Sequence, residues 1–167
     1  ASLFLTLGVW LGTPEPALEI ETLRFLIDRH AKKSAFAAKA QYRMGELYAV
    51  SGQNALAAQA METLLDRWPN AQPEATRAGF KAGQYAAALA AELRAQGRFN
   101  EASAYYDRAL ASYASVMKAH PPLNPLHEEA RRHTVALSLQ RAFHAEQDGD
   151  TEKAHGLYTR LLQVEPD

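Results

Sequence analysis

The residues of this 167-residue chain best suited to chemistry are its six histidines, because a neutral imidazole is a frequent ligand for zinc, copper or nickel. Their spacing works against a metal site. His127 and His133 are six apart, and His144 and His155 are eleven apart across an expected turn, so neither pair has the three- or four-residue interval that aligns two ligands on one helix turn. They are read as ordinary surface or cap residues, with His120, before a Pro pair, at a helix C-terminus where positive charge suits the dipole. Glu128 and Glu129 are adjacent, diverge around a helix and are expected to be solvated, so they cannot work as acid and base on one substrate. No nucleophile elbow, phosphate-cradling Gly-rich loop or metalloprotease signature occurs, and cysteine is absent, which removes disulfides, thiolate catalysis and Cys-based metal sites. The expectation is a protein that is not an enzyme, with no cofactor and no catalytic or metal-binding residues.

A formal net charge of −1, with Lys and Arg dispersed among Asp and Glu, supplies no basic footprint for nucleic acid. Nearly half the residues are apolar and 22% are charged, as in a folded soluble protein. Alanine is abundant while Val and Ile are scarce, a bias toward helices whose backbones approach closely. The fold class expected is all-α.

Gly and Pro divide the chain. Thr13 and Pro14 open a helix carrying Leu23, Leu26, Ile27 and His30 to about Lys33. Ser34 caps a second, which ends at Ser51 and Gly52, and Asn54 caps a third, stopped by Pro69. Pro73 starts a long helix through Phe80, Tyr85, Leu89 and Leu93 to Gly97, and Asn100 caps another to about Ala119. Asn124 and Pro125 start a further long helix ending at Gly149, and Asp150 or Thr151 starts the last. Short connections make successive helices antiparallel neighbours.

One interval recurs across these segments. Ala57, Ala102 and Ala154 each follow a turn glycine (Gly52, Gly97, Gly149) by five residues, and Met61, Tyr106 and Tyr158 follow four later. In the clearest copy, residues 38–71, Met44 and Gly45, Tyr48, Gly52, Ala57, Met61, Leu64 and Pro69 stand in the pattern of the tetratricopeptide repeat, which this segment resembles, with Gln41 in place of the family's first tryptophan. Gly45 and Ala57 are expected to face one another where the helices cross, with Tyr48 and Met61 filling the space beside them. The interval from Ala57 to Ala102 is 45 residues and that from Ala102 to Ala154 is 52, both longer than the family's 34-residue period, so some helices must be longer than standard. In the later copies Ala90 and Leu93, then Ala142 and Ala145, replace the motif's Gly and Tyr. The architecture implied is a short tetratricopeptide-like solenoid of stacked antiparallel hairpins over residues 14–167, preceded by an apolar segment, residues 1–13.

The resemblance implies a function in protein–protein interaction. It places Lys39, Tyr42, Arg43 and Glu46 on a groove wall, followed by Gln84, Ala87, Ala91 and Arg94, and then Leu139, Phe143 and Glu146. These form a peptide-binding groove, or else Leu139 and Phe143 touch the next helix and the charges are solvated. Tyr42 and Glu46 stand where the family's carboxylate clamp needs Lys and Asn, which argues against an acidic C-terminal tail as ligand. Trp68 is expected to anchor the core, the alternative being an exposed hot spot.

The opening run from Leu3 to Leu11 is expected to be a first helix packed on the hairpins; a membrane anchor or signal remnant, tethered upstream of residue 1, is the other reading, although the run is shorter than the ~20 residues a span needs. The endings Leu64 to Pro69 and Leu161 to Pro166 look like those of tetratricopeptide lipoproteins and periplasmic proteins of bacterial envelope assembly. The expectation is therefore an adaptor within a larger envelope-associated, periplasmic or membrane-associated protein, with the cytoplasm as the alternative location. A competing expectation is a homo-oligomerisation module without a peptide ligand, in which the unsealed ends of the stack or the apolar first segment, with Leu3, Phe4 and Leu5, pair with another copy.

Overall fold

A computed structural model of the chain describes residues 15–30 and 34–164. The apolar opening run, with Leu3, Phe4 and Leu5, and the proposed start at Thr13 and Pro14 lie outside the described residues. Among the described residues seven helices run in order: α1 Pro16–His30, α2 Ser34–Val50, α3 Asn54–Arg67, α4 Glu74–Ala95, α5 Phe99–Ala119, α6 Pro125–Gln147 and α7 Thr151–Val164. No strand occurs among the described residues, so the fold is all-α. Helices α4, α5 and α6, of 22, 21 and 23 residues, are the long ones, against 17 and 14 for α2 and α3. The chain divides into two compact units, residues 1–78 and 79–167, the division falling within α4.

Three hairpin turns share one hydrogen-bond pattern. Gly52, Gly97 and Gly149 have φ of +73°, +76° and +79°, a region where a Cβ is strained and glycine is not. In each turn the glycine N–H donates to the carbonyl three residues back, and the next N–H donates to the carbonyl five residues before itself: Gln53 to Tyr48, Arg98 to Leu93 and Asp150 to Ala145, at 2.8–2.9 Å. This pair of bonds is the Schellman closure of a helix C-terminus. The residue after each glycine then offers its carbonyl to the recurring alanine, Ala57, Ala102 or Ala154, at 3.0 Å, and so opens the following helix.

That geometry moves two expected caps. The N-cap of α3 is Gln53, not Asn54, and that of α5 is Arg98, not Asn100, because a Schellman turn commits the residue after the glycine to both helices. Asn124 caps α6 as expected, its side chain accepting from the Leu126 N–H at 2.9 Å with Pro125 behind it, and Asp150 Oδ1 accepts from the Lys153 N–H at 3.1 Å.

In the first unit α1 packs on α2, and α2 on α3. Gly45 lies at the second contact, where an added methyl would stand 3.5 Å from the Ala57 carbonyl, 3.3 Å from Ala60 Cβ and 2.6 Å from Met61 Cε. Small residues thus meet where these helices cross, and Tyr48, Met61 and Leu64 are buried around them. Gln41, where the repeat family has tryptophan, is buried and donates from Nε2 to the Ala60 carbonyl at 3.0 Å. Trp68 is 6% exposed, an anchor and not a hot spot, with the Arg67 guanidinium over its ring at 4.7 Å.

In the second unit α5 packs on α6, and α6 on α7. Its core joins Phe80, Ala90 and Leu93 of α4 to Ala102, Tyr106, Ala109 and Tyr113 of α5 and Ala130 and Leu137 of α6. Here the close approach is made by Gly83, which lies against the ring of Tyr113. Burial pushes the Tyr113 phenol up to about 12.

Of the histidines read as surface or cap residues, His127 is a cap and His133 packs among core rings, while the Glu128 and Glu129 side chains face solvent as expected. His133 stacks on Tyr113 at 5.4 Å and meets Phe80 edge-on at 5.3 Å. His127 Nδ1 lies 3.0 Å and 2.9 Å from the Met117 and His120 carbonyls, capping the end of α5 from α6. Glu128 is paired with Arg131 at 2.8 Å, an i,i+3 bridge along α6 that holds its carboxyl below the usual range.

Candidate functional site

The residues expected to line a groove fall into two sets. Lys39, Tyr42, Arg43 and Glu46 lie on α2 in the first unit. Lys39 is exposed and Tyr42 is half-buried, its phenol raised first by desolvation and then by Glu46. Arg43 Nε donates to Glu19 Oε1 of α1 at 2.9 Å and Nη1 lies 3.8 Å from Glu46, so this arginine is tied to its own fold. Beside it Arg24 of α1 donates to the Tyr48 hydroxyl at 2.6 Å. Side chains of α1 therefore tie down this face of α2.

Gln84, Arg94, Leu139, Phe143 and Glu146 belong to the second unit. Gln84 is half-buried on α4. Leu139, Phe143 and Glu146 are spaced by four and three along α6 and make one stripe; Leu139 is 47% and Phe143 53% exposed, so neither is absorbed by a neighbouring helix. Glu146 accepts a long bond, 3.4 Å, from the Tyr158 hydroxyl of α7.

Arg94 stands apart from that stripe. From the last turn of α4 it holds the Asp148 carboxylate with two parallel bonds, Nη1 to Oδ2 at 3.0 Å and Nη2 to Oδ1 at 2.9 Å, across 54 residues of sequence. The pair holds the Asp148 carboxyl below its usual range, first through the hydrogen bond and then through charge. Arg141 of α6 makes a matching cross-helix bridge to Asp107 of α5, Nη1 to Oδ1, at 2.7 Å.

These four side chains line a cleft of about 460 Å³ where the start of α5, the end of α6 and the start of α7 come together. Tyr106 and His144 also line it, their rings 6.1 Å apart. The Tyr106 hydroxyl and His144 Nδ1 are buried and have no hydrogen-bond partner. A buried polar group without a partner is unusual in a native fold. Desolvation, and then the nearby Arg94 charge, hold the His144 pKa below its ordinary value and so favour the neutral imidazole.

The sequence places Arg94 in the expected groove, Tyr106 at a packing position of the second repeat copy and His144 among surface or cap histidines. The convergence of Arg94, Asp107, Arg141 and Asp148 leaves no local signature, since each bridge joins different helices. Among the described residues no three His, Asp or Glu side chains come together so as to hold a metal ion, and no helix is long and apolar enough to cross a membrane. Neither any protein-family model nor any curated protein matches this sequence.

Proposed function

We propose that the chain is a non-catalytic adaptor of tetratricopeptide-like hairpins that docks a protein or peptide partner. The observation that carries this reading is the three-fold recurrence of one turn: left-handed glycine, the same pair of closing bonds, and a buried alanine five residues on. Repetition of a whole supersecondary unit, with small residues at the crossing of the clearest copy, is the physical signature of a helical repeat. The exposed Leu139 and Phe143 stripe on the first helix of the last hairpin is the apolar surface such an adaptor offers to an extended or helical peptide.

The same reading extends to a bacterial envelope-associated role, on the strength of the likeness of the two hairpin endings, Leu64 to Pro69 and Leu161 to Pro166, to those of tetratricopeptide envelope proteins. Panning a displayed library of random peptides against the chain tests the adaptor role. Selected peptides should lose binding to Leu139→Ser/Phe143→Ser by about tenfold or more, since two apolar anchors leave the contact. Failure to select any peptide, with light scattering showing a stable dimer, would overturn it in favour of self-association.

A further inference from the structure

The cleft of the second unit is built unlike the rest of the surface. Its guanidinium groups are more deeply buried than their partners: the Arg94 side chain is 18% exposed against 43% for Asp148, and Arg141 is 12% exposed against 64% for Asp107. The more buried element of each pair is the cation. Asp148, moreover, is the C-cap of α6, where the negative end of the helix dipole disfavours a carboxylate, so Arg94 holds an anion that its own helix opposes. Phe99 and Asn100 from the first turn of α5 and Lys153 from the first turn of α7 also line the cleft, bringing two positive helix ends and a third cation to it. Beneath these groups sit the unpartnered Tyr106 hydroxyl, on a residue 4% exposed, and the unpartnered His144 Nδ1.

We propose that this cleft binds a small oxyanion, a carboxylate or a phosphoryl group, which Arg94 takes in place of Asp148 while Arg141 and Lys153 supply the surrounding positive charge. A planar guanidinium that already holds one carboxylate by two parallel bonds is shaped for another. The volume, about 460 Å³, is that of a small-molecule site. When Asp148 swings away, the Tyr106 hydroxyl gains a partner in the ligand, which removes the cost of leaving it unbonded. The site is separate from the Leu139 and Phe143 stripe and stands or falls independently of the adaptor reading.

The test is titration of the whole chain with sodium succinate and, separately, with inorganic phosphate, at ionic strength held constant with chloride and followed by NMR. Saturable shifts at amides of residues 94–107 and 141–153 are expected from one or both; succinate alone marks a carboxylate ligand, phosphate alone a phosphoryl group. Asp148→Asn, which removes the internal competitor, should tighten binding by about threefold or more, and Arg94→Gln should weaken it by more than about tenfold. Arg141→Gln serves in its place if Arg94→Gln loses helical circular dichroism. Shifts that rise linearly and are matched by chloride, or an Asp148→Asn chain that binds no tighter than the parent, would overturn the proposal.

Discussion

Adding one methyl group at Gly83 tests the packing argument most directly. A Cβ there would lie 2.6 Å from Tyr113 Cε1 and 2.9 Å from both Cδ1 and Cζ, well inside the 3.5–4.0 Å at which carbon atoms attract. The ring cannot retreat at small cost: it is 1% exposed, stacks on His133 at 5.4 Å and meets Phe80 at 5.7 Å. Overpacking of this kind costs about 1–3 kcal/mol, and three contacts with a rigid ring place it at the upper end. Alanine recovers about 1 kcal/mol of helix propensity, so Gly83→Ala should destabilise by about 2 kcal/mol and lower Tm by about 4–8 °C. Gly156 is the control, since it lies within α7 and a methyl there meets nothing within 4 Å. Gly156→Ala should therefore stabilise by about 0.5–1 kcal/mol. Urea denaturation of both variants, with a double-mutant cycle of Gly83→Ala and Tyr113→Leu, decides the matter; the smaller side chain should relieve about 1 kcal/mol of the penalty. If Gly83→Ala proves as stabilising as Gly156→Ala, or if the cycle is additive, the close approach of α4 and α5 does not depend on the missing side chain at Gly83.

The three turns carry a matching expectation: Gly52→Ala, Gly97→Ala and Gly149→Ala, each forced to positive φ with nothing near the new methyl, should each cost about 1–2 kcal/mol by thermal unfolding, and unequal losses would refute their equivalence. His144 carries a pH dependence. Its pKa is lower folded than unfolded, so between the two values the unfolded chain binds more protons; the stability this group contributes is full above about pH 6.5, its ordinary value, and is lost as pH falls from there toward the folded pKa. Urea midpoints at pH 7.5, 6.5 and 5.5 should show a shallower acid slope in His144→Gln than in the parent, and identical slopes would count against the burial argument. Asp148 acts in a separate window: its folded pKa is depressed, so its contribution is present above about 3.8 and is lost only as pH falls through the lower folded value.

Much of the fold could be read before any coordinates, and the reason is locality. A Schellman turn needs its glycine, and its two closing bonds span only five residues, so Gly52, Gly97 and Gly149 mark their hairpins wherever the helices go afterwards. Pro125 behind Asn124 marks the start of α6 in the same way. The meeting of Gly45 with Ala57 and Met61 was also legible, because a short turn leaves two antiparallel helices one choice of partner face. Gly83 was not, although a glycine inside an alanine-rich helix signals a close approach; the motif register drew attention to Ala90, and only the packing of α5 shows that Tyr113 needs the space.

By itself, then, the sequence determined the helices, their hairpin turns and the absence of strand-forming segments, since these follow from backbone φ, side-chain entropy and interactions a few residues long. Only the tertiary structure decided that Arg94 meets Asp148, that Arg141 meets Asp107, and that the Tyr106 hydroxyl and His144 Nδ1 lie beside them without partners. Those pairings depend on how far each helix is rotated and shifted against the next, and the energies that set this are summed over many weak contacts, which no short interval in the chain records.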